Sequence, residues 1–263
     1  MSITTVGDNL IHYEALGRGK PLIFIHGWLG SWRYWWPSMQ ALSAHYRTFA
    51  LDLWGFGDSS KVREKYSLSD YTDLMAAFAD RLGIMQPAII VGHGLGAGVA
   101  VRYALQHPDS VDRLAVVALP LNGKALNSRI VQETGSGAVN RVSDRASSFP
   151  EVEVEARKTD PVAFSALVAE MHDADFIPEL QKIQCPLLMV FGAQDPLVQQ
   201  PNGEQSSIRE PAPDRAFISF PSCMHFPMLE ETARFNRLLL DFMHAGDDVS
   251  ALTPKDYWKR RTY

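Results

Sequence analysis

The chain has 263 residues, of which 46% are hydrophobic and 21% are charged, so one soluble domain can bury a core without disulfide or metal support. Its formal net charge is −5 and it lacks a large basic cluster, which excludes nucleic acid as an expected partner. No segment approaches the roughly 20 apolar residues of a membrane span, and the first residues lack a secretory signal pattern, so we expect a cytoplasmic protein.

Strands and helices are predicted to alternate along the first 120 residues. Two short segments, 3–6 and 10–14, are joined by Gly7-Asp8-Asn9 and predict a hairpin. Four later apolar segments are typical of buried parallel strands: 21–25, 46–51, 88–91 and 113–119. The intervening helices are expected at 32–45, from a cap at Ser69-Asp70 to residue 82, and at 95–106. This alternation predicts an α/β fold with a doubly wound, mostly parallel sheet.

The alternation stops between residues 121 and 181, which are polar, mixed in pattern and largely helical, with the clearest helix at 162–171. We interpret this segment as a small helical lid inserted between two strands. Strands at 186–191 and 215–220 and one long amphipathic helix at 227–243 then complete the sheet and its cover. The predicted organisation is a core made of residues 1–120 and 182–245, a lid at 121–181 and a polar C-terminal tail at 246–263.

The most informative motif is Val91-Gly92-His93-Gly94-Leu95-Gly96, which follows an apolar strand and precedes a helix rich in small residues. It has the frame of a nucleophile elbow, in which a sharp turn exposes the attacking side chain between two close-packed glycines. Glycine stands at the attacking position. Gly94 can adopt the strained turn easily, but it has no side-chain atom that can attack.

Further segments match the α/β-hydrolase family in its own order, and the resemblance covers nearly the whole chain. They are the loop His26-Gly27-Trp28, the Gly-rich loop from Asp52 to Ser59, the elbow, the segment from Gly192 to Val198, and His225-Phe226-Pro227-Met228. Each follows a predicted strand. The absence of proline after Trp28 and the leucine after the elbow position resemble the esterase, lipase and acyl-hydrolase branch, so the resemblance implies a carboxylic ester hydrolase.

The resemblance implies a role for five positions. Gly94 stands where the nucleophile belongs, and His225 would be the general base. Asp195 would hold the imidazole of His225 in the required tautomer and stabilise its charged form. The backbone N–H groups of Trp28 and Leu95 would form the oxyanion hole, the second of them at a helix N-terminus. Removal of a triad serine costs roughly 10⁶ in kcat, so this chain is expected to be nearly inert but able to bind its ligand.

Three explanations of Gly94 remain open at this point. A serine hydrolase has had its nucleophile replaced; the natural protein is a binding protein or receptor without turnover; or Asp195 and His225 activate water directly. The replaced residue could also be the aspartate of an epoxide hydrolase or dehalogenase. We interpret Ser59 as a loop residue that bonds the backbone and Cys223 as an unsuitable nucleophile.

The expected partner is a small ester or acyl compound that binds beside an aromatic surface. Some of Trp32, Trp35, Trp36 and Trp54 are expected to supply this surface, with Trp28 as a further wall of the pocket. No metal or organic cofactor is implied, because the chain lacks a ligand cluster and a phosphate-binding Gly-rich loop. The acyl length, the leaving group and the oligomeric state stay open.

Overall fold

The structure is a computed structural model that describes residues 2–132, 139, 142, 149–202, 208–210 and 212–255. Its strands are β1 (Ser2–Val6), β2 (Asn9–Leu16), β3 (Lys20–Ile25), β4 (Tyr46–Leu51), β5 (Ala88–His93), β6 (Val111–Val117), β7 (Leu187–Gly192) and β8 (Arg215–Phe220). Its α-helices are α1 (Trp36–Leu42), α2 (Leu68–Arg81), α3 (Leu95–Gln106), α4 (Ser128–Gln132), α5 (Pro150–Ala156), α6 (Pro161–Asp173), α7 (Ile177–Leu180), α8 (Pro227–Glu230) and α9 (Thr232–His244). Short 3-10 turns lie at Trp32–Trp35, Arg63–Lys65, Pro108–Ser110 and Gly123–Ala125.

The described strands form one sheet in the order β1-β2-β4-β3-β5-β6-β7-β8. The first two pairings are antiparallel, and every pairing from β4 to β8 is parallel. This confirms the predicted mostly parallel α/β sheet. The carboxyl ends of β3, β5, β7 and β8 meet at one edge, the usual place for a site in such sheets. The four motifs that follow these strands therefore lie at one edge of the sheet.

The centre of the sheet is buried on both faces. Every residue of β5 and β7 is buried, and the strands carry the apolar side chains expected of parallel strands covered by helices. Helix α3 presents small residues to the sheet, among them Gly96, Ala97 and Gly98, all fully buried. The small side chains let the helix backbone lie close to β5, which fixes the turn between them.

Two predicted helices near the N-terminal half begin differently in the structure. The segment 32–45 is a 3-10 turn followed by α1, because Pro37 favours the start of a new helix and Ser31 caps the turn through the N–H of Arg33. The predicted cap of α2 at Ser69-Asp70 is wrong. The cap is Ser67, whose hydroxyl accepts the N–H of Asp70 at 3.0 Å.

The predicted single helix at 227–243 is also wrong, because it breaks at Glu231, where φ is −127° and ψ is 53°. The carboxylate of Glu230 turns back and accepts the N–H groups of Met224 and Phe226 at 2.6 and 2.8 Å. Glu231 in turn accepts the hydroxyl of Ser222 at 2.8 Å. These bonds hold the loop on either side of His225 against the helix that follows it.

Residues 121–181 lie between β6 and β7 in the chain, and where described they form α4 to α7 with isolated bridges in place of strands. Ion pairs join this segment to the loops at the carboxyl edge of the sheet: Arg33–Glu155 at 2.9 Å, Arg63–Asp160 at 3.2 Å and Lys158–Asp58 at 3.0 Å. The sequence also predicts loops at 135–137 and 147–150, of which residues 135–137, 147 and 148 lie outside the described residues. The function of the segment as a lid stays a prediction.

Part of the predicted tail packs on the core. Val249 is fully buried, and its N–H donates to the carbonyl of Pro213 at 2.7 Å. The rest of that tail, residues 256–263, lies outside the described part of the chain. None of the described helices combines the length and the apolar character that crossing a membrane would require.

Candidate active site

Asp195 and His225 form a buried hydrogen-bonded pair. Asp195 lies in the loop after β7 and His225 in the loop after β8, and Nδ1 of the imidazole is 2.8 Å from Oδ2 of the carboxylate. Each side chain is only 1% exposed. The other oxygen, Oδ1, accepts the N–H groups of Leu197 and Val198 at 2.8 and 3.1 Å, which fixes the carboxylate. The arrangement leaves Nε2 as the ring atom free to exchange a proton, as in an acid–base pair.

The turn between β5 and α3 has the conformation of an elbow. Gly94 has φ +52° and ψ −111°, a region that residues with a side chain rarely adopt. Its N–H donates to the carbonyl of Val117 at 2.8 Å. The strand therefore passes directly into the helix at this one residue, whose Cα faces the site.

The three glycines of the elbow differ in the room they leave. A Cβ on Gly92 would lie 2.3 Å from the carbonyl oxygen of Gly96, and a Cβ on Gly96 would lie 2.4 Å from that of Ile25. A Cβ on Gly94 would lie 3.3 Å from the nearest atom, Cζ3 of Trp28, which is a side chain. A Cβ at position 94 thus requires only a small shift of a side chain, whereas backbone atoms block a Cβ at the two flanking positions.

These contacts predict a steep difference in stability between alanine substitutions. Gly92→Ala and Gly96→Ala force backbone atoms apart and should lower the free energy of unfolding by more than about 4 kcal/mol, or prevent folding. Gly94→Ala should cost only about 1–3 kcal/mol, the strain of its backbone conformation. Urea denaturation measures all three, and equal losses at positions 94 and 96 would contradict the assignment.

The N–H groups of Trp28 and Leu95 are available on either side of position 94. Neither donates a hydrogen bond to a residue that the structure describes. Leu95 is the first residue of α3, where N–H groups point out of the helix and the dipole favours an anion. Trp28 follows Gly27, whose Cα would lie 3.8 Å from a Cβ at Gly94. This arrangement would suit an oxyanion, and the role of these two N–H groups stays a prediction.

The Trp28 side chain forms a wall between the elbow and the imidazole. Its ring stacks on His225 with 6.4 Å between centroids and 12° between planes. The indole is 1% exposed, and its Nε1 has no hydrogen-bond partner among the residues that the structure describes. Trp35, by contrast, packs on Phe24 and Phe235 inside the core, so of these two tryptophans only Trp28 borders the site.

The loop that carries Trp28 is held by the Gly-rich loop after β4. The imidazole of His26 accepts the N–H of Leu53 at Nε2 (3.0 Å) and donates from Nδ1 to the carbonyl of Gly27 (2.9 Å). The buried carboxylate of Asp52 accepts the N–H of Trp32 at 2.7 Å. The Gly-rich motif therefore serves the site as a support.

His12, Asp52 and Asp58 form one cluster with the donor types of a metal site, with atoms within 4.8 Å of one another. Both carboxylates of the cluster already have partners: Asp52 accepts from His12 and from the N–H of Asp58, and Lys158 pairs with Asp58. Burial alone would lower the pKa of His12, but the hydrogen bond and charge of Asp52 raise it above its ordinary value. The raised pKa favours the protonated imidazole, whose positive charge would balance the neighbouring carboxylates.

Neither alternative nucleophile is placed or activated to attack. The Ser59 hydroxyl donates to the carbonyl of Asp52 at 2.6 Å and accepts the N–H of His12 at 2.9 Å, as the sequence suggested. Burial, with the nearby charge of Glu231, raises the pKa of Cys223 to about 12. Its thiol is therefore neutral at ordinary pH and a poor nucleophile.

Two buried residues that have no role predicted from the sequence lie next to the Asp195–His225 pair. The ring of His93 lies 4.5 Å from that of His225, and the ring of Tyr34 meets His93 edge-on at 5.5 Å. The only signal in the sequence was that His93 directly precedes the elbow residue. Nothing local in the sequence marks Tyr34.

Comparison with known proteins identifies the fold. A family model described as the α/β-hydrolase fold matches residues 20–135. The structure superimposes on a bromoperoxidase from Bacillus anthracis with a TM-score of 0.81 at 22% identity, over 93% of this chain and 99% of that one. The chain has the α/β-hydrolase fold. The predicted fold and resemblance are thereby confirmed.

Relatives within the α/β-hydrolase superfamily include enzymes named for ester and lactone substrates. The pimeloyl-[acyl-carrier protein] methyl ester esterase of Vibrio cholerae is 26% identical over 256 residues, which cover 88% of this chain and 97% of the relative. A serine-to-glycine variant of an N-acyl homoserine lactonase was crystallised with N-hexanoyl homoserine lactone. Its structure superimposes on this one with a TM-score of 0.76 at 20% identity, and the match covers 92% of this chain and 96% of the lactonase.

Proposed function

We propose that this α/β-hydrolase carries a carboxylic ester hydrolase site from which the attacking side chain is missing. One observation carries the proposal: a buried Asp195–His225 pair at 2.8 Å lies beside an elbow whose central residue, Gly94, has room for a Cβ. Burial of a carboxylate–imidazole pair costs desolvation energy, so the pair is poorly explained as a device for stability alone. With glycine at the elbow, the chain would bind its substrate and turn it over very slowly.

The proposed chemistry of a serine at position 94 is acyl transfer. Nε2 of His225 takes the hydroxyl proton while the serine oxygen attacks the ester carbonyl, and Asp195 stabilises the imidazolium. The N–H groups of Trp28 and Leu95 donate to the oxyanion. Collapse expels the alcohol, which takes the proton from His225, and water then cleaves the acyl-enzyme by the same route.

The substrate class follows from the site and from the names of the relatives. Trp28 borders the site with an apolar ring, and the relatives named above are a methyl ester esterase and an acyl homoserine lactonase. We infer a small carboxylic ester or lactone with an apolar acyl group. Residues 121–181, joined by ion pairs to the loops around the site, are proposed to act as the lid that selects among such compounds.

Labelling with a fluorophosphonate tests the proposal. The reagent reacts with a serine that is activated by a neighbouring imidazole, so Gly94→Ser should be labelled in stoichiometric amount and peptide mass spectrometry should place the adduct on residue 94. The unaltered chain and Gly94→Ala, which has the Cβ without the hydroxyl, should stay unlabelled. A folded Gly94→Ser protein that takes no label would overturn the proposed function.

A further inference from the structure

Three buried hydrogen bonds connect the loop of Trp28 with the loop of His225. The N–H of Gly27 lies 2.6 Å from the hydroxyl oxygen of Tyr34, and the same oxygen lies 2.9 Å from Nδ1 of His93. Nε2 of His93 lies 2.9 Å from the carbonyl oxygen of His225. The series joins residues that are 7, 59 and 132 positions apart in sequence.

The chemistry of the groups fixes the direction of every bond. A carbonyl oxygen only accepts, so Nε2 of His93 carries the proton and donates to His225. Nδ1 is then the unprotonated nitrogen of a neutral ring and accepts the hydroxyl proton of Tyr34. The hydroxyl oxygen in turn accepts the N–H of Gly27. Each donor and acceptor is used once, and reversal of any bond would leave two donors or two acceptors facing each other.

The surroundings keep His93 neutral and Tyr34 in place. Burial, reinforced by the proximity of His225, lowers the pKa of His93 well below its ordinary value, so the ring stays neutral and keeps an accepting nitrogen. Gly30 leaves room for the Tyr34 ring, since a Cβ there would lie 2.0 Å from a ring carbon. Phe226 packs edge-on against Tyr34 at 5.5 Å.

We propose that Tyr34 and His93 are positioning residues that set the distance between the oxyanion donor and the general base across position 94. The series touches the site at three points. It begins at Gly27, which precedes Trp28, and it ends at the backbone carbonyl of His225. Between them, His93 directly precedes Gly94. A shift of either loop would spoil the alignment of oxyanion donor, nucleophile and base. This inference rests on the proposed ester hydrolase function.

The kinetic test uses variants made in the Gly94→Ser protein. Adding Tyr34→Phe removes the hydroxyl that links Gly27 to His93, and adding His93→Phe removes both ring nitrogens. Each should lower kcat for a p-nitrophenyl ester by about 10- to 100-fold while KM changes by less than about threefold. Misplacement of the groups by about 1 Å weakens the stabilisation of the transition state but leaves substrate binding nearly unchanged.

The matched control is Tyr71→Phe in the same protein. The hydroxyl of Tyr71 is equally buried and donates to the carbonyl of Trp54 at 2.6 Å, but it lies outside the series. Its loss should leave kcat within about twofold. His93→Gln, which retains an amide donor for the carbonyl of His225, should recover part of the rate lost in His93→Phe.

A second measurement on the unaltered chain separates the inference from the proposed function. Nitrogen-15 NMR of the histidine rings should find His93 neutral with the proton on Nε2, and Tyr34→Phe should shift the Nδ1 resonance of His93. An active Gly94→Ser protein whose kcat is unchanged by Tyr34→Phe would overturn the inference alone, as would a His93 ring protonated on Nδ1. An inactive Gly94→Ser protein would overturn the proposed function, and the NMR result would then still decide whether the hydrogen-bond series exists.

Discussion

Gly94→Ser should raise kcat for a p-nitrophenyl acyl ester by about 10³- to 10⁶-fold over the unaltered chain, the upper value being the cost of removing a triad serine elsewhere. The gain is expected because the other parts of the site are already assembled. His225 is bonded to Asp195 at 2.8 Å, and the nearest contact of a Cβ at position 94 is the indole of Trp28, at 3.3 Å. A shift of the indole by a few tenths of an ångström admits the side chain. A burst of p-nitrophenol before the steady state would report the acyl-enzyme.

Gly94→Ala is the control for that result. It carries the same Cβ in the same strained conformation and lacks only the hydroxyl, so its kcat should match that of the unaltered chain. A rise in Gly94→Ala equal to that in Gly94→Ser would assign the gain to a change in loop structure. Ester hydrolysis by the unaltered chain at the rate of Gly94→Ser, abolished by His225→Ala, would instead mean that His225 activates water directly.

The second large effect is expected from Asp195→Asn in the Gly94→Ser protein. The amide oxygen can still accept the N–H groups of Leu197 and Val198, so the loop should keep its shape. The amide would, however, donate to Nδ1 of His225 and stabilise the wrong tautomer, which should lower kcat by about 10⁴-fold with little change in KM. Steady-state kinetics with a p-nitrophenyl ester measures both constants.

Asp175→Asn provides a matched comparison for that variant. Its carboxylate accepts the N–H of Ile177 at 3.1 Å in the same kind of local turn, but it has no imidazole partner in the described part of the chain. The substitution should leave kcat within about twofold. If Asp195→Asn were equally harmless, the pair with His225 would be structural and the acid–base interpretation would be wrong.

Much of the site could be predicted from sequence because its parts are local. An elbow needs a strand, a turn that glycine tolerates and a helix of small residues, and all three are contiguous between Ala88 and Gln106. Asp195 and His225 each follow a strand of a parallel sheet, and strand ends of such a sheet converge at one edge. The pattern of buried strands therefore fixed which loops would meet.

The rest depends on contacts between distant parts of the chain. Tyr34 and His93 are bonded across 59 positions, and His93 and His225 across 132, which no local pattern encodes. The helix predicted at 227–243 breaks at Glu231 because two glutamates bond back to the preceding loop. Helical periodicity gave no sign of this competition between side-chain bonds and helix continuation.

A crystal structure of the unaltered chain with N-hexanoyl homoserine lactone tests the central claim most directly. We predict the lactone carbonyl carbon above the Cα of Gly94, with its oxygen about 2.7–3.1 Å from the N–H groups of Trp28 and Leu95. Nε2 of His225 should face the same carbon while Nδ1 remains bonded to Asp195. A lactone bound away from Gly94, or an imidazole turned from it and released by the carboxylate, would contradict the account.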